Sequence, residues 1–110
     1  MYAEDLRNAP ISVSTSGDNT IIAAPADGYI AIDHINFIPT TAVAFKFKSG
    51  VSDDLSGTYP LDAKQTVTLE NTTKHVKGII TCGKGKAFVI NLGGAVAING
   101  FVRYRVVGNS

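Results

Sequence analysis

The residues from Gly78 to Gly85, GIITCGKG, have the spacing of a phosphate-binding loop. In such a loop a second glycine and a lysine follow the first glycine after four residues, and a Ser or Thr then binds magnesium through its hydroxyl. This sequence has Gly85 at that last position. The next residues, KAFVINL, alternate like a strand, whereas the loop needs a helix whose N-terminal amides face the phosphates. The pattern therefore predicts a glycine-rich bend that leads into a strand, and not a nucleotide site.

One cysteine and two histidines are the other side chains with obvious chemistry. Lys84 lies close enough to Cys82 in sequence to lower its pKa, but a cysteine nucleophile also needs a histidine base, and no spacing pairs it with His75. His34 stands beside Asp33 in an expected strand, and two separated histidines do not form a metal-ligand pattern. We therefore expect no catalytic residue, no metal site and no cofactor, and we interpret His34 as a hydrogen-bonded or surface residue.

Charged side chains alternate along two expected strands, with Lys46 and Lys48 on one and Arg103 and Arg105 on the other. If these strands were neighbours, the four side chains would form a basic patch. We expect instead that they pair with Asp and Glu across strands or solvate a sheet face. The formal net charge of +1 provides no overall field for nucleic acid or an anionic membrane, so we expect neither as a partner.

Almost the whole chain after Pro10 has the pattern of β-structure. Short alternating runs are separated by turn residues such as GDN and PADG, and the clearest run, Ala42 to Ser49, places Val43, Phe45 and Phe47 on one face. We count seven or eight such strands. Many short strands with regular turns predict an all-β fold, an antiparallel β-sandwich or jelly roll.

Two positions in the long strands depart from simple alternation. In YIAIDHINFIP, Ile30 and Ile32 share one face, whereas Ile35 and Phe37 share the other. Either a β-bulge near Asp33 and His34 brings all four to the same side, or both faces of the strand are buried there. Gly100 interrupts the last strand, which predicts a bend or the close approach of another backbone.

The chain is expected to form a single domain from residue 10 to residue 110, preceded by an N-terminal arm of residues 1 to 9. The arm has the only helical pattern, which is long enough for one or two turns. We expect its apolar side chains Tyr2 and Leu6 to contact a neighbouring molecule. Charged residues make up 17% of the chain, below the usual value of about 25%, so we expect a partner to cover part of the surface. A single cysteine fits folding in a reducing cytosol.

Four stretches follow one another in a distinctive order: TIIAAPADGYIAIDHINFIP, VAFKFKSG, SGTYPL and GKGKAFVINLGGAVAINGFVRYRVV. This order, which runs from Thr20 to Val107, resembles small β-sandwich proteins in the virions of tailed bacteriophages. In those proteins an I-x-A-A-P strand and turn precede a strand that ends in F-x-S-G. A G-x-Y-x-L segment, a G-K-A strand and a terminal G-x-V-x-Y strand then follow.

The resemblance implies a structural virion protein and not an enzyme. The role it favours is that of a capsid decoration, or cement, protein, which clusters as a homotrimer on the outer head surface and clamps neighbouring subunits of the major capsid protein. Such a protein is made in the host cytoplasm and ends up on the capsid surface of the virion. We predict that the arm, the glycine-rich bend and the last strand contact the partner, through Tyr2, Leu6, Arg7, Lys84, Lys86, Arg103 and Arg105.

Three alternatives stay open. A tail-fibre, head-fibre or baseplate module would bind a host glycan or surface protein, and would need exposed aromatic side chains, for which the candidates are Tyr2, Tyr29, Tyr59 and Phe101. A ligand-binding jelly roll of cellular origin is a third interpretation. A small cupin-like metal enzyme is the fourth, but it needs a cluster of histidines that this sequence does not supply.

Overall fold

The computed structural model describes residues 6–70 and 79–107. In those residues it contains ten β-strands and no helix. The strands are β1 (Arg7–Val13), β2 (Gly17–Ile22), β3 (Tyr29–Pro39), β4 (Val43–Ser49), β5 (Asp53–Asp54), β6 (Tyr59–Leu61), β7 (Val67–Glu70), β8 (Ile80–Thr81), β9 (Phe88–Leu92) and β10 (Ile98–Val107).

The strands form two antiparallel sheets that pack face to face. Sheet A has the order β1-β10-β3-β7, with β8 also paired to β3, and sheet B has the order β2-β9-β4-β5, with β6 also paired to β4. Because β7 and β8 share one edge of β3, and β5 and β6 share one edge of β4, each sheet has four strand positions. This is the strand arrangement of a jelly roll, which confirms the predicted fold class.

The expected number of strands was too low because two strand positions are each broken into two segments. At the break between β5 and β6, the Ser56 hydroxyl accepts a hydrogen bond from the Phe47 amide at 3.0 Å, in place of a backbone carbonyl. The polar stretch GVSDDLSG, which follows β4, therefore contains the short strand β5.

A β-bulge at Asp33 sets the faces of β3, as the sequence predicted. Arg103 of β10 pairs with His34 and Tyr104 pairs with Ile32, so Asp33 is the extra residue. The four residues whose phase required the bulge, Ile30, Ile32, Ile35 and Phe37, are all fully buried. One inserted residue thus keeps both halves of the strand in the core.

The core lies between the sheets and is rich in aromatic rings. Phe45 and Phe47 of β4 face inward as predicted, and the Phe45 ring contacts Phe37 of sheet A edge to face, with centroids 5.1 Å apart. Phe47 stacks on Phe88 at 5.8 Å. Burial of these large side chains is the main favourable contribution to folding.

Gly100 lies where two backbones approach closely, as predicted. A Cβ atom at this position would stand 1.8 Å from the carbonyl oxygen of Asn36. The residue therefore has to be glycine for β10 to pair with β3 at this level.

The first strand begins within the stretch that was predicted to be the N-terminal arm. Strand β1 begins at Arg7, which pairs with Tyr104, and Ala9 packs against the core opposite Val102. Residues 7 to 9 are therefore extended, and the predicted helical turn does not include them, because the edge of β10 offers their backbone a partner that local sequence does not reveal. Of the remaining arm, residues 1–5 lie outside the described part of the chain.

Candidate functional site

The glycine-rich stretch forms a tight bend, as the sequence predicted. Gly85 has a positive φ of 70° and its amide donates to the Gly28 carbonyl, while the Lys86 amide donates to Gly83 across the turn. The Gly83 amide donates to the Ser49 hydroxyl at 2.8 Å. The amides of Gly83, Gly85 and Lys86 are thus bonded within the protein, and β9 follows the bend instead of a helix.

Cys82, just before the bend, does not have the environment of a nucleophile. The side chain is buried, and burial raises the pKa of the thiol to about 12, although a hydrogen bond with Ser49 acts in the opposite direction. Very little thiolate is present at neutral pH, and the thiolate is the reactive form. His75, the base considered from the sequence, lies outside the described residues.

Most of the basic side chains in the strands are paired with carboxylates, as we expected. Lys46 contacts Asp54 at 3.2 Å, and Lys48 contacts Asp18 at 3.2 Å. Asn91 also donates to Asp18, at 2.7 Å, and this hydrogen bond, followed by the contacts with Lys48, lowers the pKa of the Asp18 carboxyl. Because β4 and β10 belong to different sheets, Lys46 and Lys48 form no shared patch with the arginines of β10.

The predicted contact residues differ in how accessible they are. Leu6, Arg7, Lys84 and Arg103 are exposed, and Lys86 is bonded to Asp53, whereas Tyr2 lies outside the described residues. Arg105 forms an ion pair with Asp33 at 3.0 Å, and the side chains are only 12% and 19% exposed. The Arg105 side chain is therefore too buried to contribute much to a surface contact. Its ion pair with Asp33 supports the β-bulge.

The outer face of sheet A carries an apolar centre. The rings of Phe101 and His34 are stacked, with centroids 5.2 Å apart and planes inclined by 10°. Pro10, which pairs with Phe101 across strands, and Ile38 are also exposed on this face, and Phe101 and Ile38 are each 38% exposed. Three neighbouring strands, β1, β10 and β3, together provide this partly aromatic surface.

Polar side chains surround this centre and hold one another in place. Arg103 donates through Nε to the Asn8 side chain at 3.3 Å, and Asn36 donates to the Thr68 hydroxyl at 3.0 Å. Glu70 lies opposite His34 at the β7 edge. Sequence reasoning noted Phe101 and Arg103 separately. It did not assemble the surface, because the pairing of β1, β10, β3 and β7 is needed to bring these residues together.

A second uncovered surface is an apolar cleft between the edge strands β6 and β7. Its volume is about 280 Å³, and it is lined by Phe45, Phe47, Tyr59, Pro60, Leu61, Gln65, Val67 and Leu69. Tyr59 and Leu69 are 49% and 39% exposed, and the Tyr59 ring packs on Phe45 at 5.3 Å. Pro60 lies in β6 at the edge of sheet B, and no local pattern in the sequence indicates the cleft.

In residues 6–70 and 79–107, no three His, Cys, Asp or Glu side chains lie together as a metal site would require. The same residues contain no helix that is long and apolar enough to cross a membrane. Comparisons with protein-family models, with curated proteins and with solved structures find no match. The resemblance to phage virion proteins therefore stays a prediction from the sequence. The strand order shows only the class of fold, an antiparallel β-sandwich with jelly-roll topology.

Proposed function

We propose that this chain is a structural virion protein of a tailed bacteriophage, which binds the outer surface of the capsid and stabilises it. Two things support the proposal: the order of motifs along the sequence and the jelly-roll fold. The single observation that carries it is the outer face of sheet A, with its apolar centre at Phe101 and its polar surround. The major capsid protein is the partner that this proposal assigns to that face.

The outer face of sheet A has the composition of a protein–protein interface. Such interfaces have a largely apolar core that is rich in aromatic residues and arginine, and a polar, solvated rim. Phe101 supplies the central aromatic side chain, and Arg103 is already oriented by Asn8. Because these side chains are held by neighbours before binding, little conformational entropy is lost when a partner covers them.

Stabilisation of the capsid would follow from mass action. A protein that binds the assembled shell, and not its separated subunits, shifts the equilibrium toward the shell. If copies of this chain associate, a weak contact at each subunit becomes a strong attachment, because later contacts form within one complex. No chemical reaction is required of the protein in this mechanism.

Binding of two variants to emptied phage heads tests the proposal. Phe101→Ala removes the centre of the face, and we expect it to weaken binding by about tenfold or more. Val51→Ala is the matched control, because Val51 is 71% exposed at the turn after β4, away from sheet A. Equal weakening by both variants, or by neither, would remove this face from the attachment.

The same face also supports a second candidate, a tail-fibre, head-fibre or baseplate module that binds a host glycan or surface protein. The observation that favours a glycan is the exposed Phe101 ring beside Asn36 and Arg103, since glycan sites combine an aromatic surface with a few placed polar groups. Binding to host cells that is competed by free saccharide, without binding to heads, would support this candidate over decoration.

A further inference from the structure

The apolar cleft between β6 and β7 is too small for a large ligand. Its apolar lining favours contact with another apolar group over exposure to water. Pockets that bury drug-sized ligands have volumes of about 300–1,000 Å³, whereas this cleft holds about 280 Å³. Seven of its eight lining residues are apolar or aromatic, and Gln65 is the exception. A cleft with these properties fits one or two apolar side chains of a polypeptide.

One side of the cleft offers an extended polypeptide a backbone partner. Within the described residues β7 is the last strand of sheet A, and its Val67 and Leu69 line the cleft. A segment that pairs with β7 would point alternate side chains into the same space. The opposite edge is less suited to pairing, because Pro60 of β6 has no amide hydrogen.

The chain itself contains a segment with the required chemistry. Residues 1–6 read MYAEDL, in which Tyr2 provides a ring and Leu6 is exposed immediately before β1. The segment contains no proline that would prevent it from pairing along a strand. The question is whether it reaches the cleft of its own molecule.

Its own cleft is out of reach. Strands β1 and β7 lie at opposite edges of sheet A, three strand spacings or about 14 Å apart. Arg7 lies at the level of Tyr104 on β10, whereas Val67 in the cleft lies at the level of Gly100, about 13 Å further along the strands. The two displacements together are about 19 Å, and five residues span at most about 18 Å when straight, so Tyr2 does not reach Val67 of its own molecule.

We infer that the cleft receives the N-terminal segment of a second copy of this chain, with Tyr2 as the side chain that enters it. Each molecule then donates a segment at one edge of sheet A and receives one at the other. Such a contact joins two different surfaces, so it closes into a ring when the rotation permits and otherwise continues as a chain. The inference concerns self-association only and does not depend on what the protein binds.

A disulfide cross-link between two full-length variants tests the contact directly. Glu4→Cys in one copy and Gln65→Cys in the other place a thiol on the same face of the extended segment as Tyr2 and a thiol at the cleft, while Cys82 is buried and unreactive. We expect the mixed dimer to form about tenfold faster than with the control pair Glu4→Cys and Val51→Cys. Addition of Tyr2→Ser to the Glu4→Cys chain is expected to abolish this difference. Equal rates for both pairs would overturn the inference.

The mass in solution provides a second measurement. We expect the unmodified chain to exceed the monomer mass at high concentration by light scattering, and Leu69→Lys to remain a monomer. Because Leu69 is already 39% exposed, the lysine should leave the thermal unfolding of the monomer nearly unchanged. An unmodified chain that is a monomer at every concentration, or a Leu69→Lys variant that associates equally well, would contradict the exchange of segments.

Discussion

Phe101 and His34 lie parallel on the outer face of sheet A, with their ring centroids 5.2 Å apart, although they are 67 positions apart in the chain. They come from neighbouring strands that pair Phe101 with Asn36 and Arg103 with His34. The stack marks the apolar centre of the surface through which we propose that the protein attaches to a capsid.

The stack depends on the bulge at Asp33. Because side chains alternate between faces, a shift of one residue sends a strand's side chains to the opposite side of the sheet. The extra residue lets Ile30 and Ile32 face the core while His34 still faces outward on the far side of the bulge. A structural irregularity therefore decides which side chains form the proposed binding face.

Removal of the ion pair at this bulge should be costly. Arg105→Ala leaves the Asp33 carboxylate without its 3.0 Å partner in a site where little solvent is available. We expect a loss of about 2 kcal/mol in the free energy of unfolding, less than for a fully buried pair. Urea denaturation at neutral pH measures this loss. Lys46→Ala breaks a more exposed pair and should cost less than about 1 kcal/mol, so equal losses would contradict the supporting role of Arg105.

Gly100 should not tolerate even alanine. The new methyl group would lie 1.8 Å from the Asn36 carbonyl, so two central strands would have to separate. We expect Gly100→Ala to lower the free energy of unfolding by about 3 kcal/mol or to prevent folding. Gly57→Ala is the control, since no atom lies within 4 Å of a Cβ built there. A melting temperature for Gly100→Ala within about 2 °C of the unmodified protein would show that the strands are not this close.

Asp18 should make stability depend on pH in the acid range. Its pKa is lowered from 3.8 in the folded protein, chiefly by the hydrogen bond from Asn91, so the ionised carboxylate favours folding. The contribution is complete above pH 3.8 and is lost as the pH falls below that value and through the folded pKa. Asp18→Asn should therefore be less stable than the unmodified chain at pH 7, and the difference should shrink by pH 2.5. A difference that grows in acid would contradict this account.

The features predicted from the sequence are those that a local pattern determines. Alternation of apolar residues in β4 indicates a strand wherever it packs, and the phase change around Asp33 indicates a bulge in any long strand. Gly100 and the bend before β9 were predicted for the same reason, because glycine marks backbone positions that other residues cannot occupy.

The features that were missed depend on which strands become neighbours. Residues 7 to 9 are extended because β10 is beside them, and β5 is separate from β6 because the Ser56 side chain replaces a backbone group. The outer face of sheet A combines side chains from four strand positions, and the cleft forms only where β6 and β7 end two different sheets. No local pattern contains that information.

The most direct test of the central proposal is sedimentation of the purified protein with emptied phage heads in a density gradient. We predict that the protein sediments with the heads at a fixed copy number and raises the temperature at which they are disrupted. Sedimentation with host cells but not with heads would contradict the proposed decoration of the capsid.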